Sequence, residues 1–400
     1  MNKEGWQTST LGEACEVMNG GTPKTGVPEY WDGSHLWITP AEMGKRLSPY
    51  VSDTERKITD SGLCDSSARM LPPNSVILSS RAPIGHLVIN TEPMGTNQGC
   101  KGLIPRSQLQ YKFLYYYLSS IVDLLNSLGT GATFKELSGG KLKEVTIPVP
   151  PLPEQQRIVA LLDEAFAGIA TAKANAENNL KNARALFESH LQSVFTQRGE
   201  GWVERRLGDM AMFRNGINFT KSSRGDSVKI VGVKDFQNNF WAPLDNLESV
   251  VADGKLPDSD MLKENDLLFV RSNGNMQLIG RCLLVGAVAE KITHSGFTIR
   301  ARLNGSGLSP KYLSHFLKSN NARRKMIDSG IGTNIKSLNQ VTLSALVIPF
   351  PSPAEQACVV DQLEALDVET QSLRSAYQRK LHALDELKKS LLHQAFTGNL

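Results

Sequence analysis

The chain repeats itself, and that constrains its fold more than any other feature. Trp6…Leu11-Gly12…Asn19-Gly20 returns as Trp202…Leu207-Gly208…Asn215-Gly216, at an offset of 196 residues. Gly129-Thr130-Gly131…Lys135…Leu137 returns as Gly330-Ile331-Gly332…Lys336…Leu338, now at offset 201. Ile147-Pro148-Val149-Pro150…Glu154-Gln155 returns at the same offset as Ile348-Pro349-Phe350-Pro351…Glu355-Gln356, and Phe195-Thr196 returns as Phe396-Thr397. Whatever supersecondary unit one copy builds, the other must build as well. The architecture is therefore a tandem pair.

Each copy changes character at its proline cluster. Before it lie short β-branched runs such as Ser75–Leu78 and Leu267–Val270, and one apolar helical pattern, Tyr111–Leu125 or Pro310–Ile327. That mixture predicts an α+β domain with short strands. Prolines in 148–153 and 349–353 cannot continue a strand ladder and are expected to end the domain. A long helix should follow. Its seam positions alternate by threes and fours: Ile158, Leu162, Ala165 and Ile169 on to Leu186, then Val359, Leu363, Leu366 and Thr370 on to Leu373, Leu384 and Leu387. Alanine-rich in one copy and leucine-rich in the other, the two seams suit a two-helix coiled coil. Connectivity makes it antiparallel, because the second globular domain begins where the first helix ends. The expected layout is domain 1–153, helix 154–197, domain 198–353 and helix 354–400. The domains would sit at opposite ends of the helix pair, a dumbbell with a pseudo-two-fold.

Composition narrows the function. With 40% hydrophobic and 21% charged residues the chain is globular. No apolar run approaches the ~20 residues of a membrane span. The N-terminus lacks an apolar leader, and the five cysteines form no CxxC pair, so a reducing, cytoplasmic setting without structural zinc is expected. Charge is uneven. Residues 1–153 hold 14 basic and 14 acidic side chains, while 198–353 hold 21 and 14, a balance of +7. A basic half points to a polyanion. Motifs for chemistry are missing: there is no GxxxxGK[ST], no GxGxxG after a strand, no Asn/Asp-Pro-Pro-aromatic, no HExxH and no other ligand spacing among the seven histidines. Neither a catalytic centre nor a bound metal or cofactor is expected in this chain.

What remains is a set of polar, glycine-bearing loops at matching places in both copies. Glycines let backbone amides approach phosphates, and hydroxyls and lysines complete such contacts. In the first copy the candidates are Thr22, Lys24, Thr25, Arg81, Asn97, Gln98, Lys101, Thr130, Thr133 and Lys135. In the second they are Asn218, Lys221, Arg224, Arg271, Asn273, Asn275, Arg323, Arg324, Thr333, Asn334 and Lys336. Arg81, Asn97, Arg271, Asn273 and Asn275 are the candidates for reading base edges, since Arg and Asn reach guanine and adenine bidentately. Lys221, Arg224, Arg323, Arg324 and Lys336 are candidates for phosphates.

These residues resemble the specificity subunit of type I restriction-modification systems. The likeness rests on the duplicated Trp…Leu-Gly start, Thr96-Asn97-Gln98-Gly99, the Gly-x-Gly…Lys…Leu stretch, Ile-Pro-x-Pro…Glu-Gln entering a long helix, and the closing Phe396-Thr397-Gly398. The second copy departs at Ala354, opposite Pro153, and at Ser295-Gly296-Phe297, opposite Asn97-Gln98-Gly99. The resemblance implies two target recognition domains on duplex DNA, each reading half of an interrupted site. It also implies two modification subunits carrying S-adenosylmethionine to methylate adenine, and restriction subunits using ATP and magnesium. In that setting the helix pair docks the partners and fixes the gap between half-sites. Its 44 residues from Glu154 to Gln197 would span about 66 Å. The alternative is a non-catalytic scaffold whose end domains bind protein.

Between the shared loops the two copies have little identity, and their charge differs. Two like readers would demand a palindrome; these should demand two unlike halves. Mapping methylated adenines in cells carrying this chain and its partners is expected to return an asymmetric bipartite motif, and a palindrome would contradict it.

Overall fold

The computed structural model describes residues 5–81, 83–131, 135–237, 239–305, 307–328 and 337–400. The chain divides into two compact units, residues 1–176 with 379–400, and residues 177–378. Each unit is an α+β body joined to half of each long helix.

In the first unit a five-stranded sheet runs in the order Cys15–Asn19, Cys100–Pro105, Val76–Ser80, Ile84–Asn90 and Tyr50–Val51. A three-stranded sheet sets Trp31–Ile38 between antiparallel Arg56–Ile58 and parallel Met94–Thr96. The second unit repeats this plan with fewer strands. Ala211–Asn215, Thr298–Leu303, Leu267–Val270 and Cys282–Leu284 form one antiparallel sheet, and Ser227–Val231 lies between antiparallel Glu248–Val251 and parallel Ile292–His294. The apolar runs become central strands because both faces are covered: Leu267, Leu268, Phe269 and Val270 are fully buried.

The two long helices are Leu152–Thr196 and Pro353–Thr397. In the first unit, Ile158 and Leu162 near the start of one share a core with Leu392 and Ala395 near the end of the other. Lys173 and Asp385 form an ion pair at 2.5 Å, and Arg157 donates to the backbone oxygen of Leu400 at 2.8 Å. In the second unit Leu191 and Phe195 join Val360 and Leu363 in the same way. Starts pack on ends, so the pairing is antiparallel within each unit. The recurring Phe-Thr now has a cause. Phe396 packs edge-on against Phe113 and Tyr117 at 5.1 and 5.3 Å, and Phe195 against Tyr312 and Phe316, both at 5.4 Å.

Three expectations need correction. Leu186, Leu373 and Leu387 are not in the seam; they are 51%, 43% and 46% exposed, and Leu384 is only half-buried. A straight helix of 3.6 residues per turn drifts about 20° per heptad against a 3.5 repeat, so a strict three-four count loses the buried face. The interior instead passes to Ala183, Phe187, Leu191 and Phe195, four residues apart. Secondly, Pro148 and Pro349 lie inside short strands, paired with Thr8 and Glu204. These ribbons have two strands only, so a proline N can face away from its partner without losing a ladder bond. Thirdly, each apolar helix is broken in two, Tyr111–Ser120 then Val122–Leu128, and Pro310–Lys318 then Asn320–Asp328. At the second break Ser319 is extended, and its hydroxyl accepts from the Ala322 N–H to cap the new helix.

Directly after the prolines, one buried glutamine ties each helix to its body. Gln155 Oε1 accepts from Gln110 N at 2.9 Å, and its Nε2 donates to the Gln108 and Pro150 carbonyls at 2.8 Å. Gln356 does the same with Ser309 N, Gly307 O and Pro351 O at 2.8, 3.0 and 2.9 Å. Both side chains are fully buried. Replacing Gln155 or Gln356 with Ala strands a buried N–H and two carbonyls and should lower stability by about 2–4 kcal/mol in urea unfolding of the full chain. Glu should be worse than Ala, because it sets a buried carboxylate against two carbonyl oxygens.

The second unit also buries two neutral histidines. Burial first, with nearby arginines adding to it, pushes His294 down to about 3. Burial pushes His315 to about 4, against the opposing pull of Glu364. Both folded values lie below the unfolded ~6.5, so the unfolded chain takes up these protons first. Stability is full above pH 6.5 and falls as pH drops toward 4, by up to about 1.4 kcal/mol per pH unit for each histidine. Denaturation midpoints at pH 7.5 and 5.5 should differ less in His315→Gln than in the unsubstituted protein.

Candidate nucleic-acid interface

The sequence candidates of the first unit gather around one chain of backbone hydrogen bonds. Gly21 N–H donates to the Thr96 oxygen at 2.8 Å, Ser80 N–H to Gly99 O at 2.7 Å, and Leu137 N–H to Ser80 O at 2.8 Å. The 20–22, 79–81 and 96–99 loops, Thr130 and residues 135–137 are thereby drawn together. Gln98 N–H donates to the Thr22 hydroxyl at 3.4 Å, and Asn97 Oδ1 closes its own turn by accepting from Gly99 N at 2.8 Å. Gly20 is required here, since a Cβ would lie 1.9 Å from the Asn97 backbone oxygen.

Arg81 stands at the centre, half-buried, with Nη1 3.7 Å from Glu136 Oε2. The two residues also form a β-bridge, and Glu136 exchanges backbone bonds with Thr130. Glu136 was not visible as a site residue in the sequence; only its place between Lys135 and Leu137 in the repeated motif marks it. Thr130, Lys135 and Gln98 are exposed. Lys101 is not: it is 6% exposed, and burial holds its ammonium below the ordinary value while Glu136 opposes the shift. It sits under the loops rather than on their surface. Lys24 and Thr25 are exposed in an adjoining turn, where the Lys24 oxygen accepts from Val27 N at 3.2 Å and from Trp31 Nε1 at 3.3 Å.

The second unit uses the same bonds with different residues. Ile217 N–H donates to His294 O, Arg271 N–H to Phe297 O and Leu338 N–H to Arg271 O, at 2.8, 2.8 and 2.9 Å. Arg271 thus takes the place of Ser80, and Ser272 that of Arg81. The segment Ser295-Gly296-Phe297 keeps the turn of Asn97-Gln98-Gly99, with Ser295 Oγ accepting from Phe297 N at 3.3 Å in the role of Asn97 Oδ1. Asn273 and Asn275 serve their own turn first, their side-chain oxygens accepting from Asn275 N and Gln277 N at 2.8 and 2.9 Å. An amide oxygen has a second lone pair, so this restricts but does not abolish base-edge contact.

Arg323 joins this loop by donating through Nη2 to the Gln277 carbonyl; Arg281 donates to the same oxygen at 3.2 Å, and Arg324 and Asn320 line the concavity with them. Burial, then Arg281, lowers the Arg323 pKa. Arg281 and Gln277 were missed in the sequence, since neither lies in a repeated motif. Asn218, Lys221 and Arg224 are exposed on the loop after Gly216, which packs along Gly254. Thr133, Thr333, Asn334 and Lys336 lie outside the described residues. Among the described residues no three His, Cys, Asp or Glu side chains come together as metal ligands. No helix there is long and apolar enough to cross a membrane. The surface offers donors and cations, the chemistry of phosphate and base-edge contact.

The family model for the type I restriction modification DNA specificity domain matches twice, over residues 3–182 and 199–381. The MjaIX type I specificity subunit of Methanocaldococcus jannaschii is 34% identical over 229 residues, 53% of this chain and 53% of that protein. The EcoKI specificity subunit of Escherichia coli K12 is 24% identical over 99% of this chain and 89% of its own length. Two solved structures share the fold: a chain from work on assembly and conformational transition of a type I system, with TM-score 0.81, 17% identity and full coverage of both chains, and the HsdS subunit of Thermoanaerobacter tengcongensis, with TM-score 0.63, 18% identity and coverage of 99% and 98%. With both of its repeats matched by the family model, the chain belongs to the family of type I restriction-modification DNA specificity proteins.

Proposed function

We propose that this chain supplies the address of a type I restriction-modification complex, each unit reading one half of an interrupted, asymmetric DNA site. The observation that carries this is a shared backbone with unshared side chains. The same three hydrogen bonds build both loop clusters, yet one presents Asn97, Gln98 and Arg81 and the other Ser295, Gly296, Phe297 and Arg271. A frame held constant while its reading groups change is what two different half-sites require.

Chemistry belongs to the partners in this reading. Two modification subunits bring S-adenosylmethionine and methylate adenine, and restriction subunits bring ATP and magnesium; the paired helices dock them and set the gap between half-sites. Arg323, Arg324 and Arg281 hold phosphate oxygens around their concavity, as do Lys221 and Arg224 on the 216–226 loop. Arg81 and Arg271 face base edges, with Glu136 fixing the pitch of Arg81.

Binding of the assembled complex to duplex should therefore weaken steeply with salt. Lys221→Gln, Arg224→Gln and Arg324→Gln should each lower affinity for all sequences alike, and reduce the slope of log K against log salt by about 0.9 for each phosphate no longer neutralised. Arg271→Ala should instead change which sequence is preferred, at about 1–3 kcal/mol. A flat salt dependence would favour the protein-binding scaffold.

A further inference from the structure

An apolar side chain stands exposed on the second unit's loop cluster. Phe297 is 61% exposed. It stands on the turn shared with the first unit, where the same position is Gly99. There a Cβ would meet Asn97 Oδ1, Pro40 and Arg81 at 3.1–3.3 Å, so in the first unit the position is crowded by side chains. In the second unit Ser272 stands where the first has Arg81, and the side chain at the Gly99 position is an exposed ring.

The turn beneath the ring is rigid. Phe297 O accepts from Arg271 N, and Phe297 N donates to Ser295 Oγ. A Cβ at Gly296 would fall 2.0 Å from Asn218 Oδ1, so any side chain there would have to displace the Asn218 amide. The Asn218 amide thus occupies the place that Gln98 fills in the first unit, and Phe219 beside it is 39% exposed. An exposed apolar ring thus stands on the loop cluster that also carries Asn218 and Arg271. Two exposed rings on neighbouring loops give this donor-bearing cluster an apolar element as well.

Resting on the reading above, we propose that Phe297 determines specificity by packing against the 5-methyl group of a thymine in the half-site read by the second unit. The major groove offers one apolar feature for a ring to recognise, and that is the thymine methyl. A wedge between base steps is the other use DNA-binding proteins make of such rings, chiefly from the minor groove. Phe297 lies one residue from the Gly296–Asn218 contact and on the same turn as Ser295. A ring carried on a turn whose neighbours Ser295 and Asn218 are polar suits a base edge rather than the interior of a stack.

The test uses the full complex and its mapped methylation motif. Each thymine of the second half-site is replaced in turn by deoxyuridine, which removes only the methyl group. The unsubstituted complex should lose about fourfold in affinity at one thymine, the worth of one buried methyl. Phe297→Ala should bind the parent site about fourfold more weakly and be indifferent to deoxyuridine at that thymine, while Phe297→Leu should retain part of the discrimination. A half-site without thymine overturns the proposal. So does a deoxyuridine profile unchanged by Phe297→Ala, or a uniform loss at every position, the mark of a wedge. Absence of any sequence-specific binding by the unsubstituted complex would instead defeat the DNA-reading function itself.

Discussion

Neither repeat closes its own core, and the rest of the molecule depends on that. The first body is completed by Leu392, Ala395 and Phe396 from the end of the second long helix, and the second body by Leu191 and Phe195 from the end of the first. A buried phenylalanine contributes about 3–5 kcal/mol when measured by its removal. Each helix end is thereby bound to a body other than the one it grows from. Helix pairing and domain folding are then one cooperative event in each unit.

That packing needs a fixed angle of departure for each helix, and the two glutamines supply it. A helix start leaves backbone groups unsatisfied, and so does the loop before the Tyr111 or Pro310 helix. Gln155 and Gln356 satisfy the same three groups in both copies, although the loop residues they bind have changed from Gln108 and Gln110 to Gly307 and Ser309. Their partners are backbone atoms, so the neighbouring side chains are free to vary.

The loop clusters obey the same logic. Close approaches at Gly20 and Gly216, where a Cβ would sit about 2 Å from a backbone oxygen, hold the first loop against the third in each unit. Main-chain bonds fix where the surface stands; side chains decide what it prefers. The second unit gathers Arg281, Arg323 and Arg324 beside Met276 and Gln277, in keeping with the +7 balance of its segment.

The duplication, the α+β character, the long helices, their antiparallel pairing and the matched polar loops could all be read in the sequence, because they follow from local periodicity and from repetition itself. The family resemblance came from the same residues. The sequence could not show which helix face is buried beyond Ala183: a seam counted in threes and fours ends on exposed Leu186, and only the position of the second body selects Phe187, Leu191 and Phe195 instead. Nor could it show that Lys101 is buried, that Glu136 steers Arg81, or that Arg271 replaces Ser80 rather than Arg81. Those depend on which backbone groups meet across the fold. Hydrophobic period is a property of neighbours along the chain, whereas burial and partnership are set by residues distant in sequence, and only tertiary packing brings them together.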